Sequence, residues 1–194
     1  PRTVVSGDQT LVLWGLETGA HRTQWKNSTD GGRTWQLGGV LEPVEFGTVN
    51  GGFPDVCATG GGEFVAATLF GDVGYRIALY RGRIEGDGVQ WTGPSFPVES
   101  VICSALCRSY GLPSVACDAE RGRLYLAVVR SEYDVYDTYQ YDDVWFFYFA
   151  DGVWHGPQEL SDKTVQGSKV VVDPDGNVLV FWHDLATRRM ICRR

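Results

Sequence analysis

One pattern occurs four times along this chain: an apolar segment, a polar or glycine turn, then a second apolar run. The second runs are Thr10-Leu-Val-Leu-Trp14, Glu63-Phe-Val-Ala-Ala67, Arg123-Leu-Tyr-Leu-Ala127 and Asn177-Val-Leu-Val-Phe181, spaced 53, 60 and 54 residues apart. The segments before them are Thr3-Val-Val-Ser-Gly-Asp8, Val56-Cys-Ala-Thr-Gly-Gly-Gly62, Val115-Ala-Cys-Asp-Ala-Glu-Arg-Gly122 and Val170-Val-Val-Asp-Pro-Asp-Gly176. Each pair reads as a β-hairpin. A third strand follows, and then a turn and a tryptophan that opens a fourth, at Trp35, Trp91 and Trp154. Four-stranded units at a period near 50 cannot each bury both faces, so every sheet needs a neighbour, and that is the logic of a propeller.

The expected fold is therefore all-β, a β-propeller of four-stranded antiparallel blades in one domain, with repeats at about 1–51, 52–111, 112–166 and 167–194. No window sustains an apolar 3.6-residue period, while Gly and Pro punctuation is dense and Val, Tyr, Phe and Trp fill the runs between. A β-sandwich would also give many short strands. The last unit has three strands, Lys169 to Val172, Val178 to His183 and Arg188 to Arg194, and lacks its outer one. Two closures follow from this count: a compact four-blade ring with one short blade, or an arc of a larger ring. A homo-oligomer or a second chain could complete the last sheet.

The turn before Trp35 carries a second constraint. Ser28-Thr29-Asp30-Gly31-Gly32-Arg33-Thr34-Trp35 fits S-x-D-x-G-x-T-W at every fixed position. Asp30 can accept from turn amides, Gly31 and Gly32 permit positive φ, Ser28 and Thr34 can bond locally, and Trp35 is expected to start the next strand with its ring between sheets. The string resembles the Asp-box, or bacterial neuraminidase repeat, of sialidase-like β-propellers. Ile84 and Gly86 stand in the second copy where Ser28 and Asp30 stand in the first, so one box is complete. The resemblance implies a scaffold role for Ser28, Asp30, Gly32, Thr34 and Trp35, and a secreted, cell-surface or periplasmic protein.

Composition narrows the class of partner. The net charge is −7 and the pI about 4.9, which argues against nucleic acid, whose binding needs clustered Lys and Arg. No apolar stretch approaches the ~20 residues of a membrane span. The chain opens at Pro1 and its only methionine is Met190, so removal of a leader or of a larger precursor is expected. Five cysteines, Cys57, Cys103, Cys107, Cys117 and Cys192, fit no zinc spacing, and no metal or cofactor is expected from them. Cys103 and Cys107 share a loop and could bridge. Cys57 and Cys117 lie on equivalent first strands of adjacent blades and could bridge or pack as buried thiols. The sequon Asn27-Ser28-Thr29 overlaps the clasp and reads as coincidence.

In a blade with strands A to D, the A–B and C–D turns emerge at one end and the B–C and D–A loops at the other. The clasp is a C–D turn, so the opposite end is free for binding groups. The longest irregular segments map there: Leu41 to Gly52, Glu99 to Leu112, and Ser131 to Asp143. The last carries Glu132, Asp134, Asp137, Asp142 and Asp143 among Tyr133, Tyr136, Tyr139 and Tyr141. Aromatic faces stack on sugar rings while carboxylates accept from hydroxyls, which suits a neutral or cationic glycan or glycoconjugate. Calcium is a second occupant, although the spacing is not that of an EF-hand. An extended hairpin with one wet face explains the same alternation without a ligand.

Catalysis is harder to assemble. The sialidase resemblance implies three arginines on a substrate carboxylate, a tyrosine nucleophile polarised by glutamate, and an acid/base aspartate. Tyr75-Arg76-Ile77-Ala78 is only superficially like the family's arginine string, lacking its proline and following the box. Arg2, Arg108 and Arg130 could form a carboxylate clamp, though solvated surface arginines are the commoner outcome. Asp55 with Glu132 or Asp184 is the carboxylate pair a hydrolase would use, with His183 at the rim of the last blade. Three functions follow as expectations: a lectin-like carbohydrate-recognition propeller using Arg130, Tyr133, Tyr136, Asp137, Tyr139, Tyr141 and His183; a sialidase-like glycoside hydrolase or part of one; or a protein-docking scaffold.

Overall fold

The structure, a computed structural model, describes residues 1–15, 22–41, 53–70, 76–97, 108–133, 139–161 and 164–194. Its elements are all strands, arranged as four small antiparallel sheets that form the four blades of a β-propeller. The first blade is β1 (Arg2–Ser6), β2 (Gln9–Gly15), β3 (Thr23–Ser28) and β4 (Gly39–Val40). The second is β5 (Asp55–Gly60), β6 (Glu63–Phe70), β7 (Arg76–Glu85) and β8 (Gly88–Ser95). The third is β9 (Arg108–Asp118), β10 (Arg123–Tyr133), β11 (Tyr139–Ala150) and β12 (Val153–Ser161). The fourth has three strands in order, β13 (Val165–Val172), β14 (Val178–Asp184) and β15 (Arg189–Arg193).

Alternation along the strands builds the packing between blades. Leu11 and Leu13 of β2 face Phe64 and Ala66 of β6 and Tyr80 of β7, in a core that also takes Trp25 and Ile84. The other side of the second blade, Val65, Ala67, Ile77 and Leu79, meets Val115, Leu124, Leu126 and Val128 of the third. The third blade then offers Tyr125, Ala127, Val129 and Val144 to Val170, Val180 and Trp182 of the fourth. Odd and even positions of one strand thus serve different neighbours, which is why the runs read as continuously apolar. Full burial of each Leu or Phe stabilises by about 1.5–3 kcal/mol.

Three expectations are corrected. Trp35 is 44% exposed and lies outside any strand, because β4 begins only at Gly39. The indole folds back over the clasp, 3.7 Å from where a Cβ on Gly32 would stand. The chain behind it presses onto the third strand so closely that a Cβ at Gly38 would lie 1.5 Å from the Trp25 carbonyl oxygen. The inter-blade tryptophan of this sheet is Trp25, which meets Trp91 edge-on with centroids 6.3 Å apart. The second correction concerns residues 108–112, expected as loop. They belong to β9, with an extra residue accommodated where Ala127 pairs with Ser114 but Val129 pairs with Gly111. Pro113 sits in that bulge, where its missing N–H costs no ladder bond.

The third correction is to the Tyr/Asp segment as an irregular loop; the extended hairpin considered beside it is what its described residues form. Most of 131–143 continues the β10–β11 hairpin, pairing Ser131 with Asp142, Glu132 with Tyr141 and Tyr133 with Tyr139. The acids and tyrosines of the described part, residues 131–133 and 139–143, are thus strand residues. Residues 134–138, which include Tyr136 and Asp137, lie outside the described residues, as do 42–52 and most of the segment from Glu99.

Candidate functional site

The starts of the first and third strands and the ends of the second and fourth gather at one end of the propeller, opposite the clasp. Asp55 sits there, at the start of β5, and is 2% exposed. Its Oδ2 accepts from the Ser114 hydroxyl at 2.9 Å, the Val115 N–H at 2.9 Å and Lys169 Nζ at 2.7 Å. Arg2 Nε lies 3.4 Å from Oδ1. Ser114 Oγ in turn accepts from the Val170 N–H at 3.1 Å. One carboxylate of the second blade is therefore shared by β1, β9 and β13, one inner strand from each other blade. A buried carboxylate is tolerated only when its lone pairs are filled in this way.

Arg130 and Asp143 form a second buried unit. They are cross-strand partners at the base of the Tyr/Asp hairpin, and their side chains meet in a bidentate pair through Nε at 3.0 Å to Oδ1 and through Nη2 to Oδ2. Asp143 is fully buried and Arg130 5% exposed, with the guanidinium 4.2 Å from the Trp145 ring centroid. Fork geometry and a stacked aromatic face are what make arginine, and not lysine, fit such a place. Thr23 and Thr68 join the first two blades at the same end, with hydroxyls 2.9 Å apart.

The other sequence-derived residues fall as follows. Asp184 ends β14, is buried, and accepts from the Thr187 N–H at 2.9 Å. His183 beside it is half-buried and faces Gln166 and Met190 across the sheet. Glu132, Tyr133, Tyr139 and Tyr141 are placed by their backbone pairing alone. Of the three arginines proposed as a clamp, Arg2 faces Asp55 and Arg130 is held by Asp143, while Arg108 pairs through its backbone with Glu132. Reasoning from sequence missed Lys169, Ser114 and Trp145. No spacing rule could have found the first two, because they meet Asp55 only after three blades are stacked.

The clasp end is built differently. Ser28 donates from Oγ to Asp30 Oδ1 at 2.8 Å and accepts from the Gly32 N–H at 2.8 Å. Asp30 accepts from the Thr34 N–H at 2.9 Å and from the Thr34 hydroxyl at 2.7 Å. The Thr34 hydroxyl, then its amide, then Ser28 hold the Asp30 carboxyl well below the usual carboxylate range. Two first-hairpin turns repeat the device. Asp118 is lowered chiefly by Arg121, whose Nη1 lies 2.7 Å from Oδ2, and Asp173 by Asn177, whose side-chain and backbone N–H groups both donate at 2.8 Å. Asn27 of the sequon is fully buried. Cys57 and Cys117 form a disulfide between β5 and β9, Cys192 is free and exposed, and Cys103 and Cys107 lie outside the described residues. Among the described residues there is no cluster of three or more His, Cys, Asp or Glu side chains able to hold a metal ion, and no helix long and apolar enough to cross a membrane.

Four antiparallel blades with polar loops at one end define a β-propeller fold. Solved structures superpose on 95–100% of the chain. A Hadza microbial sialidase, Hz136, matches 100% of this chain and 44% of its own, with a TM-score of 0.71 at 16% identity. An α-L-arabinanase of Penicillium chrysogenum, complexed with arabinobiose, matches 95% of this chain and 56% of its own, with a TM-score of 0.62 at 12% identity. The BP39L lectin of Burkholderia pseudomallei matches 100% and 56%, with a TM-score of 0.51 at 13% identity. The chain thus spans about half the length of these structures, and at such identities the likeness is one of fold. No protein-family profile and no curated protein sequence matches it.

Proposed function

We propose that this chain is a lectin-like carbohydrate-recognition propeller that binds glycan at the loop end, opposite an Asp-box clasp, in a secreted or cell-surface setting. The observation that carries this reading is the condition of Asp55. A general acid or base must exchange its proton with a substrate, whereas both Asp55 oxygens are committed to groups from three other blades. Asp143 and Asp184 are likewise committed, to Arg130 and to the Thr187 amide. In this reading the ligand groups are the tyrosines of the Tyr/acid hairpin, Tyr133, Tyr136, Tyr139 and Tyr141 with Asp137, whose aromatic faces would stack on sugar rings. The proteins sharing the fold support a carbohydrate partner, since one is named a lectin and two are named for glycan-cleaving enzymes. The Cys57–Cys117 disulfide supports an oxidising compartment.

A second reading, a sialidase-like glycoside hydrolase or a portion of one, draws on the first of those likenesses. A glycan array run beside fluorogenic sialosides and arabinosides separates the two. Saturable glycan binding without turnover, weakened at least tenfold by Tyr133→Ala with Tyr139→Ala, is the expected result. Turnover abolished by Asp55→Asn in a folded variant would establish the hydrolase instead.

A further inference from the structure

We propose that the loop end of the second blade binds a chain of acidic sugars, on an aromatic ledge whose two ends carry cations for carboxylates several sugar residues apart. This rests on the carbohydrate reading above and deepens it, because it puts an anionic glycan on a different blade from the Tyr/acid hairpin.

Strand order lays out the ledge. Phe53 precedes β5, Phe70 ends β6, Arg76 starts β7 and Phe96 follows β8, so the four cross the loop end from inner to outer strand. Three interstrand steps make that line about 14 Å long. At its outer end Phe96, 37% exposed, meets Phe70 edge-on with centroids 5.4 Å apart, and the Arg76 guanidinium lies 5.7 Å from the Phe96 centroid. Arg130 sits on Trp145 in the same manner, but Asp143 fills its fork. Among the described residues no carboxylate pairs with Arg76. A guanidinium stacked on a ring presents its N–H edge, and a carboxylate is what that edge fits.

The inner end repeats the combination with other residues. Phe53-Pro54-Asp55 and Leu112-Pro113-Ser114 hold matching places, since Asp55 pairs with Ala67 and Ser114 with Ala127 at the ends of the repeated runs. Phe53 has φ 53° and Leu112 φ 48°, a left-handed backbone that bulky residues rarely adopt. Leu112 offsets the strain by packing against the core of the third and fourth blades. Phe53 is 64% exposed, so burial of its ring offsets little, and strained residues of this kind cluster at ligand clamps. Two residues on, Arg2 and Lys169 share the Asp55 carboxylate. Two half-exposed cations on one anion leave positive charge beside the phenyl ring.

Each end of the ledge thus joins an exposed ring to charge that its own carboxylates do not cancel, in a chain whose net charge is −7. Phenyl rings stack on the apolar faces of sugars, and the cations select those bearing carboxylates. Glu132 and Asp142 of the neighbouring hairpin repel the same glycan and favour its lying along the second blade.

The probes are a galacturonate hexamer, galacturonic acid itself and a neutral galactose hexamer, each titrated calorimetrically into the intact chain. The acidic hexamer is expected to bind saturably, at least tenfold more tightly than the monomer, and more weakly as salt is added. Arg76→Gln and Phe53→Asn are each expected to weaken it at least fivefold. Asparagine accepts a left-handed backbone, so Phe53→Asn should keep the parent melting temperature. A lower melting temperature would mean that the ring serves the fold, and would overturn the proposal. So would unchanged affinity in Arg76→Gln, or an acidic hexamer bound no more tightly than the neutral one. Neutral glycan binding that depends on Tyr133 and Tyr139, without acidic hexamer binding, would overturn this proposal and leave the lectin reading standing. Failure of every glycan to bind would overturn both.

Discussion

The two ends of this propeller satisfy their carboxylates in opposite ways. At the clasp end Asp30, Asp118 and Asp173 bond to groups three or four residues away in their own turns. At the loop end Asp55 bonds to residues 59, 60 and 114 positions along the chain. Local carboxylates shape a hairpin and ask nothing of the other blades. The distant one has no complete set of partners until the blades have assembled. One end is therefore set by sequence neighbours, and the other by the fold as a whole.

This contrast is open to direct challenge. Asp143→Ala carries the largest expected effect, since it removes the fully buried carboxylate that the buried Arg130 guanidinium grips with two N–H donors; a loss of about 3–5 kcal/mol in urea unfolding is expected. Arg130→Met combined with Asp143→Leu should recover most of that, and a double variant as weak as the single one would count against the burial argument. Asp55→Ala should cost about 2–4 kcal/mol, mainly by orphaning the Val115 N–H and the Ser114 hydroxyl, because Lys169 and Arg2 remain about half in water. Its diagnostic is range: hydrogen exchange should quicken in β1, β9 and β13 together. Quickening confined to β5 would mean that the shared carboxylate couples nothing.

Asp30→Ala should have the smallest effect, lowering the melting temperature by about 3–6 °C and quickening exchange only around the clasp. Acid supplies the companion measurement. Asp30, Asp118 and Asp173 bind protons less readily folded than unfolded. Their stabilisation is complete above the ordinary carboxylate pKa near 4 and drains away as the pH falls below it. Asp30→Ala should flatten the stability profile between pH 4 and 2 while leaving the neutral glycan-binding titration unchanged.

The same contrast explains what could be read from the chain. Strand runs, hairpin turns and the clasp were legible because their causes lie within a few residues: period-two alternation, glycine at positive φ, Asp30 four residues before Thr34. The short last sheet was legible for the same reason. The Arg130–Asp143 pair was hidden because Tyr/acid alternation fits a polar loop as well as a strand, and only the register of β10 on β11 decides between them. Trp35 misled because a tryptophan after a turn usually buries, whereas here Gly38 and Gly39 bring the backbone against Trp25 and leave the indole over Gly32. Cys57 and Cys117 stood on equivalent strands by sequence, yet bridging and separate burial differ only in the separation of two strands, which pattern does not encode.

The sharing of Asp55 bears on how this molecule comes apart. Chains made of repeated units tend to fray from their ends, each unit leaning only on the next. Here a single acidic group touches every unit, and Lys169 reaches it from two blades away. Losing the first or last sheet would strip a partner from the centre, so peeling off an outermost sheet should loosen the middle, tying the repeated units into one cooperative melting unit.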